Sequence, residues 1–452
     1  MADFFDVVVI GGGPAGVVSA VTGKKYYPQK NFLLIREHKV SVIPCGIPYI
    51  FHSLDSAKKD ILSDEPLKSH NIEILVGKVI QIDRDKKEVK LANGKKVKYD
   101  RLILATGSEP LVPRIPGVEM EGIFTIKKEL EYLETLREEV YKAENIVIVG
   151  GGFIGVEFAD EISNLKGKSI HIVEVLSHCL LRAFDEEFCI LAEEELRKKG
   201  VNLWLGRKVE SFEGEKRVSA VKLSDGQTIP ADLVILSIGA KPNTKLAEDM
   251  DLWIGRGGGI WVDEYMRTSD PSIFAVGDCA EKRCFFTRKH LPVMLASTAT
   301  AEARVAGSNL FGVKVLREIK GTIAVFSTKV GGLVLGSAGL TQRKAEEENF
   351  EVVIGETTVP DKHPATLHGT KKIRIKLIFS RLSTIILGGQ IAGGASVGEL
   401  INVVGMAIQK RAPAVELETF QMATHPWLTS PPTLYPLVAA TMDMSRKLGS
   451  VS

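Results

Sequence analysis

A short apolar run that breaks into a glycine-rich loop occurs twice in this chain, and this duplication constrains the fold more than any other feature. The first copy runs from residues 6–10 into GGGPAG, and the second runs from residues 145–149 into GGGFIG. A helix-forming segment and a further apolar run, at 31–35 and at 169–173, follow the loops. A strand, a glycine turn, a helix and a parallel strand form the unit that binds dinucleotides. The duplication predicts an α/β protein with two Rossmann-like dinucleotide-binding domains.

The glycines of each loop have separate physical roles. The first permits a tight turn, the second lets the backbone approach a pyrophosphate, and the third lets the helix pack closely on the strand. The helix N-terminus then faces the negative charge of the ligand. These glycines are Gly11, Gly13 and Gly16 in the first loop and Gly150, Gly152 and Gly155 in the second.

An acidic residue about 20 residues after such a loop binds the ribose hydroxyls of the nucleotide. In the second unit Glu174, which follows the run at 169–173, meets this expectation. No Lys or Arg lies between Glu174 and Arg182, so a 2′-phosphate would face a carboxylate without a nearby cation, and NADH is favoured over NADPH. In the first unit Arg36 stands at the expected position and Glu37 follows it, which leaves open which of them meets the ribose.

The rest of the chain divides around these two units. Strand-like runs end in glycine at LATGS (104–108) and IFAVGD (273–278), where Asp278 could accept a hydrogen bond from a sugar or ribityl hydroxyl. The Pro-rich segment 111–117 is interpreted as an interdomain linker. From about residue 317, strand-like runs and then three helical segments predict an α+β unit without a phosphate loop. These runs are 322–330, 350–359, 373–380 and 384–393.

Charge and cysteine usage exclude several classes of protein. With 58 Lys and Arg against 56 Asp and Glu, the net charge of +2 gives no field to recruit nucleic acid. No uncharged apolar stretch reaches about 18 residues, and acidic residues stand near the start where a signal peptide would carry basic ones. Five cysteines are an odd and sparse set for a secreted disulfide framework. We expect a cytoplasmic protein with reduced thiols, without a metal site and without a membrane or nucleic-acid partner.

The order of motifs carries a specific resemblance. GGGPAG, ATGS, PRIPG, GGGFIGVE, IGAKPN and FAVGDCA together resemble the flavoprotein pyridine nucleotide-disulfide oxidoreductases over essentially the whole chain. The segment PCGIPY at 44–49 resembles their single-cysteine branch, which includes coenzyme A-disulfide reductases, NADH oxidases, NADH peroxidases and polysulfide reductases. The resemblance implies FAD on the first unit, NADH on the second, and a C-terminal α+β dimerisation domain that forms a homodimer. The expected domains are 1–112 with 241–317 for FAD, 113–240 for NAD, and 318–452 for dimerisation.

The resemblance also implies the contacts of both cofactors. The FAD residues are Gly11, Gly13, Pro14, Ala15, Gly16, Arg36, Glu37, Val79, Ala105, Thr106, Gly107, Gly277, Asp278 and Ala296. The NAD residues are Gly150, Gly152, Phe153, Ile154, Gly155, Glu157, Glu174 and Gly239. Phe153 and Glu157 match positions that flank the nicotinamide in the family. The helix that begins near Ala296 would direct its N-terminus at the pyrimidine edge of the flavin.

Cys45 is the candidate catalytic residue. It stands after a strand and before a helical segment, where exposed N–H groups favour a thiolate, the nucleophile of disulfide exchange. No second cysteine lies at Cys-x4-Cys spacing around Cys45, so an intramolecular disulfide next to the flavin is not available locally. Cys279 and Cys284 have that spacing but follow a different turn, which does not favour a redox role. Cys179 and Cys189 are expected to be inert.

Two departures from the family pattern bear on the substrate. Peroxidases and water-forming oxidases of this branch carry a His inside the first glycine loop, where this chain has Pro14, so a peroxidase would lack its acid–base group. Coenzyme A-disulfide reductases usually have tyrosines in the C-terminal domain near the sulfur, whereas the matching stretches here offer His363 and His425. His425 with the proline after it is similar to the His-Pro of the two-cysteine enzymes, where an imidazole of the other subunit protonates a leaving thiolate. A structural role for His425 in a Pro-rich turn stays open.

These features predict an enzyme that passes electrons from NADH through FAD and Cys45 to a small disulfide, polysulfide or related sulfur acceptor. The alternative is an NADH oxidase, in which oxygen accepts the electrons and Cys45 only modulates the product. A flavin-bearing redox sensor for a protein partner belongs to a third class, which no sequence motif favours.

Overall fold

The computed structural model describes residues 3–317 and 321–450. In it the first glycine loop follows the carboxyl end of a central strand of a largely parallel sheet. The elements of this part are β1 (Asp3–Ile10), α1 (Pro14–Tyr26), β2 (Phe32–Arg36), β3 (Ser41–Val42), β4 (Ile61–Leu62), α2 (Glu65–Lys68), β5 (Glu73–Val76), β6 (Val79–Asp83), β7 (Glu88–Leu91), β8 (Lys96–Leu104) and β9 (Ser108–Pro110). Short 3-10 helices span Ile47–Phe51 and Ala57–Lys59. The strand order is β5-β2-β1-β8-β7-β6, parallel from β5 to β8. The apolar run at the centre of β1 is fully buried, as expected for a strand covered on both faces.

The second glycine loop lies in a separate parallel sheet. Its elements are β10 (Ile123–Thr125), α3 (Leu130–Lys142), β11 (Asn145–Val149), α4 (Phe153–Ile162), β12 (Ser169–Glu174), α5 (Glu186–Lys198), β13 (Asn202–Leu205), β14 (Val209–Gly214), β15 (Val218–Leu223), β16 (Thr228–Pro230) and β17 (Leu233–Leu236). The parallel order is β10-β17-β11-β12-β13, and β14, β15 and β16 form an antiparallel layer beside it. The two glycine loops therefore belong to two different sheets.

The chain then returns to the first sheet. It forms β18 (Ala240–Pro242), α6 (Lys245–Glu248), β19 (Ile273–Ala275), the 3-10 helix Gly277–Cys279 and α7 (Ala296–Ser308). β18 pairs antiparallel with β9, so the outgoing and returning segments lie side by side, and β19 pairs parallel with β8. α7 packs against α1 so closely that a Cβ on Gly307 would lie 2.6 Å from the Ser19 carbonyl oxygen.

The C-terminal unit is an antiparallel sheet covered by helices. It contains β20 (Val325–Val330), β21 (Leu333–Gly339), α8 (Gln342–Glu347), β22 (Val352–Pro360), β23 (Lys372–Ser380), β24 (Ile386–Gly393), α9 (Val397–Lys410), α10 (Ala414–Glu418), the 3-10 helix Pro432–Leu434 and α11 (Pro436–Gly449). The strand order is β20-β21-β24-β23-β22. The sequence did not predict β21 or α8. β21 has the sequence LVLGSAG, whose small residues disfavour an isolated strand, but it is paired on both sides by β20 and β24.

The predicted fold class is confirmed: two Rossmann-type parallel sheets precede an antiparallel α+β unit. The four strands predicted beside the glycine loops agree with β1, β2, β11 and β12 within a few residues. Within residues 3–317 and 321–450, no helix is long and apolar enough to cross a membrane.

A buried charge network joins the second sheet region to the C-terminal unit. Asp185 precedes α5, and its carboxylate accepts a hydrogen bond from the Gln390 side chain at 2.6 Å and pairs with Lys376 Nζ at 3.0 Å. Lys376 also pairs with Glu187 at 2.6 Å. Burial alone would raise the pKa of Asp185, but Lys376 and the surrounding hydrogen bonds lower it below its ordinary value. Removing one partner of such a network leaves an uncompensated charge in the interior.

We expect Asp185→Ala to lower the free energy of unfolding by about 3 kcal/mol, because Lys376 would stay buried with Glu187 alone as its counter-ion. Urea denaturation followed by circular dichroism measures this loss. Asp249→Asn is the matched control, since it removes an acid from the exposed pair with Lys245 and is expected to cost less than about 1 kcal/mol. Equal losses in the two variants would contradict the role given to the buried network.

Candidate functional site

Both glycine loops bring a helix onto a strand end with no space for a side chain. Gly11 has φ +122° and Gly150 has φ +107°, values that favour glycine. A Cβ on Gly16 would lie 1.9 Å from the Gly11 carbonyl oxygen, and one on Gly155 would lie 2.0 Å from the Gly150 carbonyl oxygen. The first and third glycines are therefore required by the turn and by helix packing.

The middle glycines have a different explanation. Gly13 has φ −75° and Gly152 has φ −73°, which any residue can adopt. Apart from the immediate chain neighbours, no atom of the described chain lies within 4 Å of a Cβ built on either residue. Neither the backbone nor internal packing requires glycine there, whereas close approach of a bound group at the helix N-terminus does. Both loops thus fit the pyrophosphate of a dinucleotide.

Glu174 lies beside the second loop, as predicted. Its buried carboxylate accepts hydrogen bonds from the Gly151 N–H at 2.6 Å and the Leu176 N–H at 2.8 Å. The apolar side chains of Ile154 and Val175 are 44% and 61% exposed on the adjacent surface. The end of β12 thus presents an acid and open apolar surface next to the phosphate loop, as an adenosine site requires.

The sequence missed one cation near this acid. Arg207 follows β13, and its N–H donates to the Glu174 carbonyl oxygen at 3.0 Å. Its guanidinium pairs with Asp225 and lies 5.3 Å from the centre of the Trp204 ring. A count of cations along the chain after Glu174 cannot find Arg207, because the parallel pairing of β12 with β13 brings it there. The choice between NADH and NADPH therefore depends on Arg207 as well as on the residues between Glu174 and Arg182.

In the first loop the strand register puts Arg36 where Glu174 lies in the second. Arg36 is buried, and its two terminal nitrogens bind both carboxylate oxygens of Asp64 at 2.6 and 2.7 Å. Its Nε–H has no partner among the described residues. Glu37 instead pairs with Lys78 near the surface. The geometry favours Arg36 over Glu37 as the residue next to the loop.

Further predicted FAD residues gather at the carboxyl edge of the first sheet. A Cβ on Gly11 would lie 2.0 Å from the Ala105 carbonyl oxygen, so Ala105 borders the first loop. Asp278 accepts a hydrogen bond from Ser108 Oγ at 2.7 Å and forms an ion pair with Lys128 at 3.2 Å. The carboxylate of Asp278 thus lies between the first sheet and the segment that leads into α3.

The remaining predicted FAD and NAD residues lie on connections between elements or at the starts of elements. Thr106 Oγ1 donates to the Asn243 carbonyl oxygen at 2.7 Å, which joins the outgoing and returning segments. Gly107, Gly239 and Gly277 have positive φ values of +70°, +111° and +75°. Pro14 and Ala15 begin α1, Val79 begins β6 and Ala296 begins α7.

Cys45 lies in the segment before the 3-10 helix Ile47–Phe51, and of the five cysteines it alone is exposed. We expected free N–H groups here to favour the thiolate. The structure differs, because the helix is a 3-10 helix of only five residues. The Gly46 N–H and Tyr49 N–H already donate to the Ile43 and Gly46 carbonyl oxygens at 2.9 and 3.0 Å.

The charges around Cys45 oppose a thiolate. The surrounding protein atoms desolvate the sulfur even though the residue is exposed, and the charge of Glu157 acts in the same direction. Together they raise the pKa of Cys45 above its ordinary value, while Lys128 lowers it. Burial also raises the pKa of Glu157 to about 7. The site therefore brings together a thiol whose pKa is raised and a carboxyl that is only partly ionised near neutral pH.

Glu157 and Phe153 lie on α4 and contact the C-terminal unit. Thr328 on β20 donates its hydroxyl to Glu157 Oε1 at 2.7 Å. The Phe153 ring stacks on Phe326, with ring centres 4.9 Å apart and an interplanar angle of 18°. The first turn of α4 is thus held between the second glycine loop and β20.

The 3-10 helix that follows Cys45 is bound by helices of the second sheet region. Arg137 Nε and the Tyr141 hydroxyl, both on α3, donate to its last two carbonyl oxygens at 3.1 and 2.8 Å. Glu161 on α4 accepts hydrogen bonds from both the N–H and the hydroxyl of Ser53 at 2.9 Å. Sequence reasoning missed these residues because their partners are distant in the chain. They connect the Cys45 segment directly to the second nucleotide unit.

The segments that carry the two candidate histidines of the C-terminal unit are joined by a hydrogen bond. His363 N–H donates to the Pro426 carbonyl oxygen at 3.0 Å. The hydrogen bonds of His425 are made within residues 425–429, including one from the Trp427 N–H to its ring. Trp427 and Leu428 are 51% and 67% exposed beside it. Within one chain, His425 is therefore part of an exposed apolar surface and is not joined to the Cys45 segment by a hydrogen bond.

The other cysteines are buried. Cys279 Sγ contacts the Val276 carbonyl oxygen at 3.3 Å, and both Cys279 and Cys284 are free thiols. Burial raises the pKa of Cys179 and, to about 12, that of Cys189. The described part of the chain contains no group of three or more His, Cys, Asp or Glu side chains that could hold a metal ion.

Two stretches of the chain match known families. Residues 5–303 match the family described as pyridine nucleotide-disulphide oxidoreductase, and residues 325–434 match the dimerisation domain of that family. The matches together cover both glycine loops, the Cys45 segment and the sheet of the C-terminal unit.

Relatives and solved structures agree with this match. The chain is 31% identical to an NADH oxidase of Methanocaldococcus jannaschii, over 98% of this chain and 99% of the relative. It is 35% identical to an NAD(P)H coenzyme A polysulfide/persulfide reductase of Pyrococcus horikoshii, over 86% and 87% of the two chains. The structure is similar to an NAD-dependent persulfide reductase from A. fulgidus, with a TM-score of 0.90 and 32% identity over 98% of this chain and 84% of that one. It is also similar to a water-forming NADH oxidase from Lactobacillus brevis, with a TM-score of 0.89 and 26% identity over 99% and 100%.

We expect Gly152→Ala to weaken nicotinamide nucleotide binding by about tenfold or more without lowering the thermal unfolding temperature, because the new Cβ meets only the ligand. Calorimetric titration with a non-oxidisable NADH analogue and a thermal scan measure the two effects. Gly155→Ala is the matched comparison and should lower both, since its Cβ would overlap the Gly150 carbonyl oxygen. Unchanged affinity in Gly152→Ala would contradict the assignment.

Proposed function

The chain belongs to the pyridine nucleotide-disulphide oxidoreductases, which are FAD-dependent NAD(P)H oxidoreductases, and we propose that it transfers electrons from NADH through FAD and Cys45 to a sulfur acceptor. The observation that carries this proposal is the position of Cys45, the one exposed cysteine, near Glu157 at the start of α4. The names of two relatives, a polysulfide/persulfide reductase and a persulfide reductase, support a small disulfide, polysulfide or persulfide as the acceptor.

The residues of the two loops would hold the cofactors. We assign the N-terminus of α1 with Gly13 to the FAD pyrophosphate, and that of α4 with Gly152 to the NADH pyrophosphate. We assign the FAD ribose to Arg36 and the NADH ribose to Glu174. FAD, when bound, supplies the electron pair that NADH delivers.

The domain boundaries proposed from the sequence are retained. FAD binds to 1–112 with 241–317, NADH to 113–240, and 318–452 forms the dimerisation domain. The antiparallel pairing of β9 with β18 supports the two crossings, because the outgoing and returning segments lie side by side.

The reaction at Cys45 is thiol–disulfide exchange. The Cys45 thiolate attacks one sulfur of an RS–SR acceptor, so that a Cys45–SR bond forms while the RS–SR bond breaks and RS⁻ leaves. The leaving thiolate then takes up a proton. Two electrons cleave the mixed disulfide, which releases a second RS⁻ and restores the Cys45 thiolate. Because the pKa of Cys45 is raised, the attack step requires that Cys45 first give up its proton.

NADH is the preferred donor in this proposal. The Glu174 carboxylate lies next to the loop and would repel a 2′-phosphate. Arg207 is a cation that the fold brings next to β12, but its guanidinium is paired with Asp225. This pairing lowers its capacity to bind a phosphate.

Oxygen reduction is the second candidate function. It is favoured by the relative of 31% identity that is an NADH oxidase. Pro14 stands where oxidases and peroxidases of the single-cysteine branch were expected to carry a histidine, which argues against it. With matched NADH, oxygen consumption that far exceeds thiol formation would select the oxidase.

A homodimer completes the proposal. The dimerisation domain match covers the sheet of the C-terminal unit and the segment around His425. Trp427, Leu428 and Leu434 are between 49% and 67% exposed in one chain, which suits an interface between two copies. In the dimer, His425 would protonate the leaving thiolate in the partner's site.

We expect Cys45→Ser to retain FAD and its reduction by NADH but to lose disulfide and polysulfide turnover by at least about a thousandfold, because the hydroxyl cannot attack sulfur. Anaerobic stopped-flow measures flavin reduction, and thiol release measures turnover with coenzyme A disulfide, glutathione disulfide and polysulfide. Cys284→Ser is the control and should keep full turnover. Unchanged turnover by Cys45→Ser with all three acceptors would exclude the proposal.

We expect His425→Ala to slow the oxidative half-reaction about tenfold or more and to leave the reductive half-reaction near normal, because both nucleotides bind within one chain. The effect should grow at high pH, where solvent protonates a leaving thiolate poorly. Stopped-flow traces of each half-reaction provide the measurement, with His368→Ala as the control. Equal slowing of both half-reactions, or of neither, would mean that His425 is structural.

A further inference from the structure

The segment that carries Cys45 is closed by a short antiparallel pair. β3 pairs with β4 through Ser41 and Leu62. Asp60 directly precedes β4, and its carbonyl oxygen accepts the Ile43 N–H at 3.0 Å. Ile43 in turn accepts the Gly46 N–H at 2.9 Å. Asp60 is therefore tied to the backbone turn that presents the thiol.

The carboxyl of Asp60 lies inside this turn. Asp60 is only 2% exposed, and its Oδ2 has no hydrogen-bond partner among the described residues. Oδ1 packs against Gly46 so closely that a Cβ on Gly46 would lie 1.8 Å from it. Burial without a partner disfavours the charged form and raises the pKa of Asp60 to about 6. Asp60 thus gains or loses a proton near neutral pH, and its carboxyl contacts Gly46, the residue that follows Cys45.

The other groups around the thiol are already engaged. The charged and titratable groups that act on Cys45 or are acted on by it are Glu157, Lys128, Asp278, Asp60 and Tyr49. Glu157 accepts the Thr328 hydroxyl, and Asp278 is paired with Lys128. Burial and Glu157 raise the pKa of Tyr49 to about 12, so it stays neutral. Asp60 is the carboxyl near Cys45 for which the described chain provides no hydrogen-bond partner.

We propose that Asp60 is a positioning residue for Cys45: its buried carboxyl, packed against Gly46, holds a proton when the sulfur is a thiolate and releases it when the sulfur is bonded to another sulfur. The physical reason is repulsion between two negative charges in one desolvated turn, which makes the protonation of either group depend on the other. This inference rests on the proposed function of Cys45 as the reactive thiol. An ionised Asp60 disfavours the thiolate, and a neutral side chain at position 60 removes that effect.

The test is the pH dependence of Cys45 alkylation in the reduced holoenzyme. We expect Asp60→Asn to raise the rate of carbamidomethylation by iodoacetamide at pH 7 by about three- to tenfold, because the thiolate fraction increases when the neighbouring charge is removed. The change in slope that Asp60 gives the wild-type profile near pH 6 should also be lost. Mass spectrometry of the Cys45 peptide makes the readout specific to this thiol.

Two further variants complete the experiment. Asp55→Asn removes an exposed carboxylate paired with Lys59 and should leave the profile unchanged. Gly46→Ala, whose φ of −86° suits alanine, forces the Asp60 carboxyl away from the turn and should raise the rate in the same direction as Asp60→Asn. Gly46→Ala also tests the proposal if Asp60→Asn does not fold.

An Asp60→Asn profile that coincides with the wild type, or a rise of the same size in Asp55→Asn, would overturn the proposal. Alkylation reports the thiol whether or not it turns over an acceptor. Failure here therefore leaves sulfur reduction by Cys45 standing, and unchanged turnover in the Cys45→Ser experiment would leave the coupling of Asp60 to the thiol intact.

Discussion

The contact between a helix start and a strand end, with no side chain between them, is the constraint on which the rest of the site depends. At Gly16 and Gly155 the helix approaches the turn so closely that any Cβ would overlap a carbonyl oxygen. This approach orients the N-termini of α1 and α4 toward open space beside Gly13 and Gly152. The free N–H groups and the helix dipole then favour an anion at both places. Arg36 and Ala105 border the first helix start, and Glu174 borders the second.

The same geometry accounts for the place of Cys45. Its segment leaves the first sheet, but Arg137, Tyr141 and Glu161 bind it to helices of the second. Thr328 extends the contact to the C-terminal unit through Glu157. Three parts of the chain therefore fix one thiol, and a displacement of α4 would be transmitted to it. This arrangement explains how a cysteine in a short irregular segment is held without a disulfide or a metal.

The sequence predicted what depends on local pattern and missed what depends on pairing between distant residues. The strands beside both loops follow from short apolar runs and glycine, and they were located within a few residues. β21 was missed because its stability comes from its neighbours rather than from its small residues. Arg207 is adjacent to Glu174 only through sheet pairing. The expectation that N–H groups favour a Cys45 thiolate was wrong, because the charges near it come from separate elements that no local pattern reveals.

The charges around Cys45 favour a sulfur that is a thiolate only for a short part of the reaction. Glu157 and Asp278 face Cys45, and the cation among these groups, Lys128, is already paired with Asp278. A permanent thiolate would add a further negative charge to this desolvated region, which costs free energy. A thiol or a sulfur–sulfur bond adds none. The residue is therefore most stable between steps when it is protonated or bonded to another sulfur, and it is charged only while a bond to sulfur forms or breaks. That pattern is what thiol–disulfide exchange requires, because the attacking thiolate is consumed as the mixed disulfide forms.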